Sequence, residues 1–303
     1  MGKKNYYGEI GSLDGDIMPP VERKYTVIQS LWTKPIKDKL KLRDTMFMCA
    51  LSLECAHRNG YKVHMHTDSK GFELLKHFGY EKLKKTLDNI PDNVPADMFA
   101  AGKFYAMRAE GTIGKVHIDV DVFIKKAGLL DRFYEDSKMS AICQMEEDMN
   151  FVDHSDKIYH MHVLGYPSTT RPNWRGSMNT GIIGFRNRAL AKKYFDNYFD
   201  ALKMYTNDRI EKYKNDNKCG NLHFDFILEQ IELSYLSVGY NVYTLLPTKK
   251  PCEVAENIGY AHLQGDSKWS IHYKQDIKAM LHNLNASLYA EAAKASSLAM
   301  IRP

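Results

Sequence analysis

Cysteine is scarce in this sequence and forms no pattern. Its five residues, Cys49, Cys55, Cys143, Cys219 and Cys252, are odd in number, scattered and without C-x-x-C spacing. That argues against a disulfide framework and for reduced thiols, with a cytosolic compartment as the expectation. Long apolar runs are missing too. No stretch of about 18 apolar residues occurs, so no transmembrane helix is expected, although peripheral contact of the C-terminal segment with a membrane is compatible with its lysines and leucines. The opening MGKKNYYGEIGS lacks the apolar core of a signal peptide, and Tyr6 stands where a myristoylation signal at Gly2 wants Ser or Thr. Charge of one sign is not concentrated: the net charge is +5, with no Arg/Lys block. Nucleic acid is therefore not an expected partner, while an anionic ligand such as a nucleotide suits the mild excess. Repeats and low-complexity linkers are absent. What is present, 44% hydrophobic and 26% charged residues in 303, is the composition of an ordinary soluble globular protein of one large domain or two smaller ones.

Along the chain, residues 1–23 are polar and Gly-rich and end in Pro19-Pro20, which reads as an N-terminal extension. "YTVIQSLW" (25–32) is the first strand. Residues 37–59 predict an amphipathic helix with Leu40, Met46, Phe47, Ala50, Leu51, Leu53 and Cys55 on its apolar side, closed by Gly60. Further strands are expected at 61–69, 84–90, 140–145, 178–187, 240–246 and within 260–270, and helices at 71–79, 97–110, 126–137, 188–214, 221–238 and 274–299. Residues 148–176 look irregular. Alternation of strands and helices argues for an α/β fold with a largely parallel sheet, in which ligands sit at the carboxyl ends of the strands. The expected division is an extension (1–23), a catalytic domain (24–273) and a C-terminal helix (274–303).

One stretch breaks the pattern of an apolar strand. In "GKVHIDVDVFIKK" (114–126), Val116, Ile118, Val120, Val122 and Ile124 alternate with His117, Asp119, Asp121 and Phe123. Read as one strand, this puts Asp119 and Asp121 on a single face. Two unpaired buried anions are costly, so a basic partner or a metal ion must offset them. Two carboxylates so placed can hold a divalent cation, which in turn can hold the oxygens of a diphosphate. A second cluster lies far downstream in "HLQGDSKW". His262 would add a nitrogen ligand, favouring Mn²⁺ over Mg²⁺. Gly265 permits close backbone approach to a phosphate, and Lys268 supplies a point charge, with Trp269 beside it.

Together, D-x-D and the later H-x-x-G-x-x-K-W resemble the retaining nucleotide-sugar glycosyltransferases of family 8, the glycogenin and galactosyltransferase group. "HTDS" (66–69) and "MNTGIIGF" (178–185) follow in the family's order, and the resemblance covers roughly residues 25–270 as spaced motifs. It implies a GT-A type, Rossmann-like fold with a mixed, mostly parallel sheet flanked by helices, a UDP-sugar donor and Mn²⁺ or Mg²⁺. It further implies that Asp119, Asp121 and His262 hold the metal, and that Gly265 and Lys268 contact the diphosphate. Asp68 matches a nucleoside contact, Lys103 a basic donor-binding residue, and Ser30 on the first strand is placed with them. Asn179 matches the asparagine facing the sugar, and Glu229-Gln230 stands for an Asp-Gln pair beside the reacting carbon. The implied reaction moves a sugar to an acceptor hydroxyl, with retention, on a glycan, a lipid-linked sugar or a small molecule. Two positions depart from the pattern: the proline before Trp269 is missing, and Glu229 replaces an aspartate.

Other readings stay open on the residues alone. A D-x-D phosphohydrolase would use the first aspartate as nucleophile, but Phe123 stands where that motif wants Thr or Val. A non-catalytic nucleotide-sugar-binding protein could share the fold. His64 and His66 alternate on a strand and read as packed rather than chelating. His160, His162, Tyr159, Tyr166, Trp174, Arg171 and Arg175 are candidates for an acceptor wall within 146–176.

Overall fold

The protein is described by a computed structural model covering residues 6–7, 25–148, 176–206, 211–212, 225, 227–246, 251–263 and 268–301. A two-residue strand, β1 (Tyr6–Tyr7), precedes β2 (Tyr25–Leu31), the centre of a parallel set. Helix α1 (Lys39–Arg58) follows, capped by Asp38, whose carboxylate accepts from the backbone N–H groups of Leu40 and Lys41. Most of the apolar side expected for it is buried. Leu40 is the exception at 48% exposed, because it lies in the first turn, at the helix end. Next come β3 (Tyr61–Thr67), α2 (Ser69–Leu75) and β4 (Lys82–Lys84). The strand expected at 84–90 is instead the end of β4 followed by a 3₁₀ turn at Thr86–Asn89.

Helix α3 (Ala101–Glu110) leads into β5 (Lys115–Ile118), and a separate strand, β6 (Val122–Ile124), follows after a turn. A short α4 (Asp131–Glu135) replaces the longer helix expected there. The chain continues through β7 (Ala141–Asp148), β8 (Gly176–Phe185) and α5 (Arg188–Met204). A π-helical turn (Ile227–Ile231) runs into α6 (Glu232–Leu236), and β9 (Val242–Thr244), α7 (Pro251–Ile258) and β10 (Tyr260–Leu263) come after it. The C-terminal segment forms two helices rather than one, α8 (Ile271–Leu284) and α9 (Ala286–Ile301), separated at Asn285.

Seven strands form one mixed sheet in the order β4-β3-β2-β5-β8-β7-β9. The β2–β3, β3–β4, β2–β5 and β7–β9 pairs are parallel, and only the pairs made by β8 are antiparallel. This is the mostly parallel sheet flanked by helices that the strand–helix alternation led us to expect. Alternate side chains go to opposite faces. Val27, Val63, Val116 and Ile182 pack with α1, α8 and α9, whereas Ile28, Ile183 and Phe185 pack with α3, α5 and α6. Burial on both faces is why these strands read as nearly continuous apolar runs. A second, antiparallel sheet has the order β1-β10-β6. Among the described residues no helix is long and apolar enough to cross a membrane.

Candidate metal and donor site

The strand expected over 114–126 breaks at the two aspartates. β5 ends at Ile118, and Val122 donates its backbone N–H to the Asp119 carbonyl at 3.0 Å, closing a turn. Beyond it the chain leaves the large sheet and pairs antiparallel with β10, so Asp119 and Asp121 do not share a strand face. What unites them is the register of that second pairing. Val122 lies opposite His262, and Leu263 donates its N–H to the Asp121 carbonyl at 3.1 Å, which sets His262 beside Asp121. Asp119 is tied to the large sheet by its own N–H, donated to the Gly181 carbonyl at 2.9 Å. One ligand atom each of Asp119, Asp121 and His262 lie within 4.8 Å of one another. Two ligands on opposite sides of one divalent ion stand about 4–5 Å apart, so two carboxylates and an imidazole in this arrangement fit such an ion. Among the described residues this is the one group of its kind.

Two lysines hold the anions in place. Lys268 donates to Asp121 Oδ2 at 2.7 Å, and its ammonium lies 5.5 Å from the Trp269 ring centroid, with Lys41 at 5.4 Å from the same ring. Lys103, in the first turn of α3 and only 7% exposed, donates to the Thr180 carbonyl at 2.8 Å, to Asp119 Oδ1 at 3.1 Å and to Glu229 Oε1. Burial alone would lower the Lys103 pKa; the charges of Asp119 and Glu229 outweigh it and raise the pKa instead, so this lysine stays charged. The two aspartates are pushed apart. Burial, with Asp121 and Glu229 nearby, raises Asp119 despite Lys103, whereas Lys268 and His262 overcome burial and hold Asp121 well below the usual carboxylate range.

The other expected residues fall in three groups. Glu229, buried on the π-helical turn, joins the cluster: it accepts from Lys103 and, at 2.6 Å, from the Thr180 hydroxyl. Ser30 joins it more distantly, through a 2.9 Å contact to His117 Nε2; His117 Nδ1 in turn lies 3.7 Å from Asp119 Oδ1. Burial, reinforced by Lys103 and His66, drives the His117 pKa well below 6.5 and keeps the imidazole neutral. Asp68, Asn179 and Gln230 make local structure. Asp68 caps α2, accepting from the Gly71 N–H and from the Thr33 N–H at 2.8 Å each, and from the Thr33 hydroxyl. Asn179 Oδ1 accepts the Gly181 N–H at 2.9 Å, and Gln230 accepts from Ser177 at 3.0 Å. Gly265 and the aromatic, His and Arg candidates of 149–175 lie outside the described residues.

Three participants escaped the sequence reading: Thr180, Gly181 and Gln144. The polar Gln144 inside the apolar "SAICQM" run was the available signal. From Asn179 to Ile183, β8 advances four residues while β7 advances two, from Cys143 to Met145, so β8 bulges opposite Gln144. The bulge turns Thr180 toward Lys103 and Glu229 and brings the Gly181 carbonyl to Asp119. A Cβ on Gly181 would lie 2.5 Å from His262 Cε1 and 2.7 Å from Gln144 Oε1, closer than atoms approach, so any larger residue here would push one of these side chains aside. His64 and His66 are packed histidines: they surround the Glu110 carboxylate together with Lys84 and Lys115.

No curated protein matches the chain in sequence. In backbone course it is similar to xyloside xylosyltransferase 1 of mouse in its apo form, at 12% identity and a TM-score of 0.39, with 75% of this chain and 86% of that chain covered. It is similar as well to the galactosyltransferase LgtC in complex with donor and acceptor sugar analogues (11%, 0.40, 86% and 96%). A third likeness is to the bifunctional glycosyltransferase WbbM in its apo form (11%, 0.48), where 95% of this chain spans 54% of that chain. At the level of sequence, the model of DUF6734, a family of unknown function, matches residues 25–295, and the chain belongs to that family.

Proposed function

We propose that this protein is a metal-dependent glycosyltransferase that moves a sugar from a nucleotide diphosphate, a UDP-sugar, to an acceptor hydroxyl. The observation that carries the reading is the convergence of Asp119 and Asp121, from the turn after β5, with His262 of β10, and with Lys268 against them. The same four positions drew attention in the sequence through the D-x-D and H-x-x-G-x-x-K-W motifs.

A divalent ion bound there, Mn²⁺ or Mg²⁺, would supply positive charge to a departing diphosphate. The chain's own residues do the rest. Lys268, at the edge of the cluster, adds a cation that a diphosphate can draw from Asp121, stabilising the charge that grows on the leaving group. Lys103 keeps Asp119 and Glu229 in fixed positions. Glu229, held by a charged lysine and a hydroxyl, is the carboxylate offered to the positive charge that develops at the anomeric carbon, and transfer with retention is the stereochemistry the motifs favour. Ser30, near the end of β2, contacts His117, and in this reading the nucleoside goes to that end of the strand.

Calorimetric titration of UDP in the presence of Mn²⁺, followed by assay of UDP release from a panel of UDP-sugars, tests the reading. UDP is expected to bind only with the metal, and Asp121→Asn to abolish binding. At about one hundred times its Kd, the ligand should stabilise the fold by roughly 2.7 kcal/mol. Binding of UDP that is indifferent to Mn²⁺ and to Asp121→Asn, or none at all, would overturn it.

A further inference from the structure

We infer that Gln144 is a positioning residue that holds His262 in the form able to ligate a metal, an inference that rests on the metal site proposed above. Gln144 is fully buried on β7, opposite the β8 bulge. Its Oε1 lies 2.6 Å from His262 Nδ1 and 2.6 Å from the Tyr260 hydroxyl, which donates to it. An acceptor facing Nδ1 keeps the proton on that nitrogen. The lone pair is then on Nε2, the nitrogen that lies 3.5 Å from Asp121 Oδ1 and faces the carboxylates.

Three further features make this arrangement specific. Tyr260 and His262 are both on β10, two residues apart and thus on one face, so a single amide oxygen serves both. The glycine at 181 leaves the space that the imidazole and the amide fill together. The Gln144 Nε2 amide is buried with no hydrogen-bond partner. An unsatisfied buried donor is costly and a purely space-filling residue would not carry one, so the oxygen at the other end of the amide accounts for a glutamine at this position.

The test exploits the difference between an amide and a carboxylate. Mn²⁺ affinity is measured by electron paramagnetic resonance on wild type, Gln144→Met, Gln144→Glu and Asp121→Asn, with nitrogen coupling to the bound Mn²⁺ read by the pulsed method. The coupling is assigned to His262 by its loss in His262→Ala. Gln144→Met, similar in size but without the acceptor, should weaken Mn²⁺ about 10–100-fold and lose the coupling. Gln144→Glu can only accept, so it should keep the coupling and bind Mn²⁺ at least as tightly as wild type. Unchanged affinity and coupling in Gln144→Met overturns the assignment. So does loss of the coupling in a folded Gln144→Glu protein, the variant that decides if Gln144→Met does not fold. A wild type that binds no Mn²⁺, or an Asp121→Asn variant that binds it as well, instead sinks the metal site itself, and the role of Gln144 with it.

Discussion

Lys103 sits between two carboxylates that have little else to offset their charge. Its sequence setting, "AAGKFYAM", gives no hint that the ammonium is buried and donates to Thr180, Asp119 and Glu229. Removing one partner of a buried ion pair leaves the other uncompensated, at a cost of about 3–5 kcal/mol. Lys103→Met should therefore lower stability by that order in urea unfolding, and adding Glu229→Gln should recover part of the loss. A cost below 1 kcal/mol would show that the pair is solvated. Gly181 makes the opposite case, where what matters is an absent side chain. Gly181→Ala must displace His262 or Gln144. It is expected to cost about 1–3 kcal/mol by overpacking and to weaken Mn²⁺ binding more than an alanine elsewhere in β8. Equal Mn²⁺ affinity would mean that the ring tolerates the shift. Both residues were visible as letters in a motif or helix, yet their roles depend on neighbours far away in the chain.

At the scale of elements, α3 and the π-helical turn deliver Lys103 and Glu229 to the same point, and Asp225, just before that turn, links the start of α3 to α5. Its carboxyl accepts from the Ala100 N–H that opens α3 and, at 2.7 Å, from the Tyr198 hydroxyl of α5. Burial and then the charge of Glu229 push its pKa up to about 8. The folded value thus lies above the unfolded one, and the folded state binds more protons between roughly pH 4 and 8. Stability contributed by this carboxyl is full below pH 4 and declines as pH rises through that window. Asp225→Asn removes the titration. Relative to wild type, its stability should rise by a few kcal/mol from pH 4.5 to pH 7.5 in chemical denaturation. A difference that does not change with pH would mean that Asp225 is ionised throughout. The sequence pattern located most elements here and misjudged their limits. Apolar alternation continued straight through Asp119 and Asp121, because alternation cannot register that the chain turns and joins another sheet.

For the whole molecule, the open question is what α8 and α9 do. Leu288, Ala292, Ala295 and Ala299 of α9 belong to the same apolar cluster as the sheet and α1. Asn285 donates to Glu54 at 2.8 Å, and Arg58 to the Leu284 carbonyl at 2.6 Å. Of the lysines that suggested a membrane face, Lys274 pairs with Asp44 at 2.8 Å and Lys278 lies over the Phe47 ring. Deleting residues 286–303 should therefore abolish cooperative unfolding followed by circular dichroism, because a whole face of α1 loses its cover. A truncated protein that still melts cooperatively and binds Mn²⁺ would make the helix an appendage.

Local chemistry determined a good deal without the tertiary structure. Strand and helix periodicity follows from nearest neighbours, so the α/β class, a largely parallel sheet and the order of the major elements could be read from residues 25–299. Asp119, Asp121, His262 and Lys268 drew attention as a cation and phosphate set only when the two motifs were taken together and compared with a known family. Only the folded chain decided how these residues meet. The turn at Asp119, the β6–β10 register that brings His262 to Asp121, and the β8 bulge that accommodates Gln144 are all pairings between segments distant in sequence. Such pairings are set by which strands find each other once the core forms, and that information is shared among many residues and written at none of them.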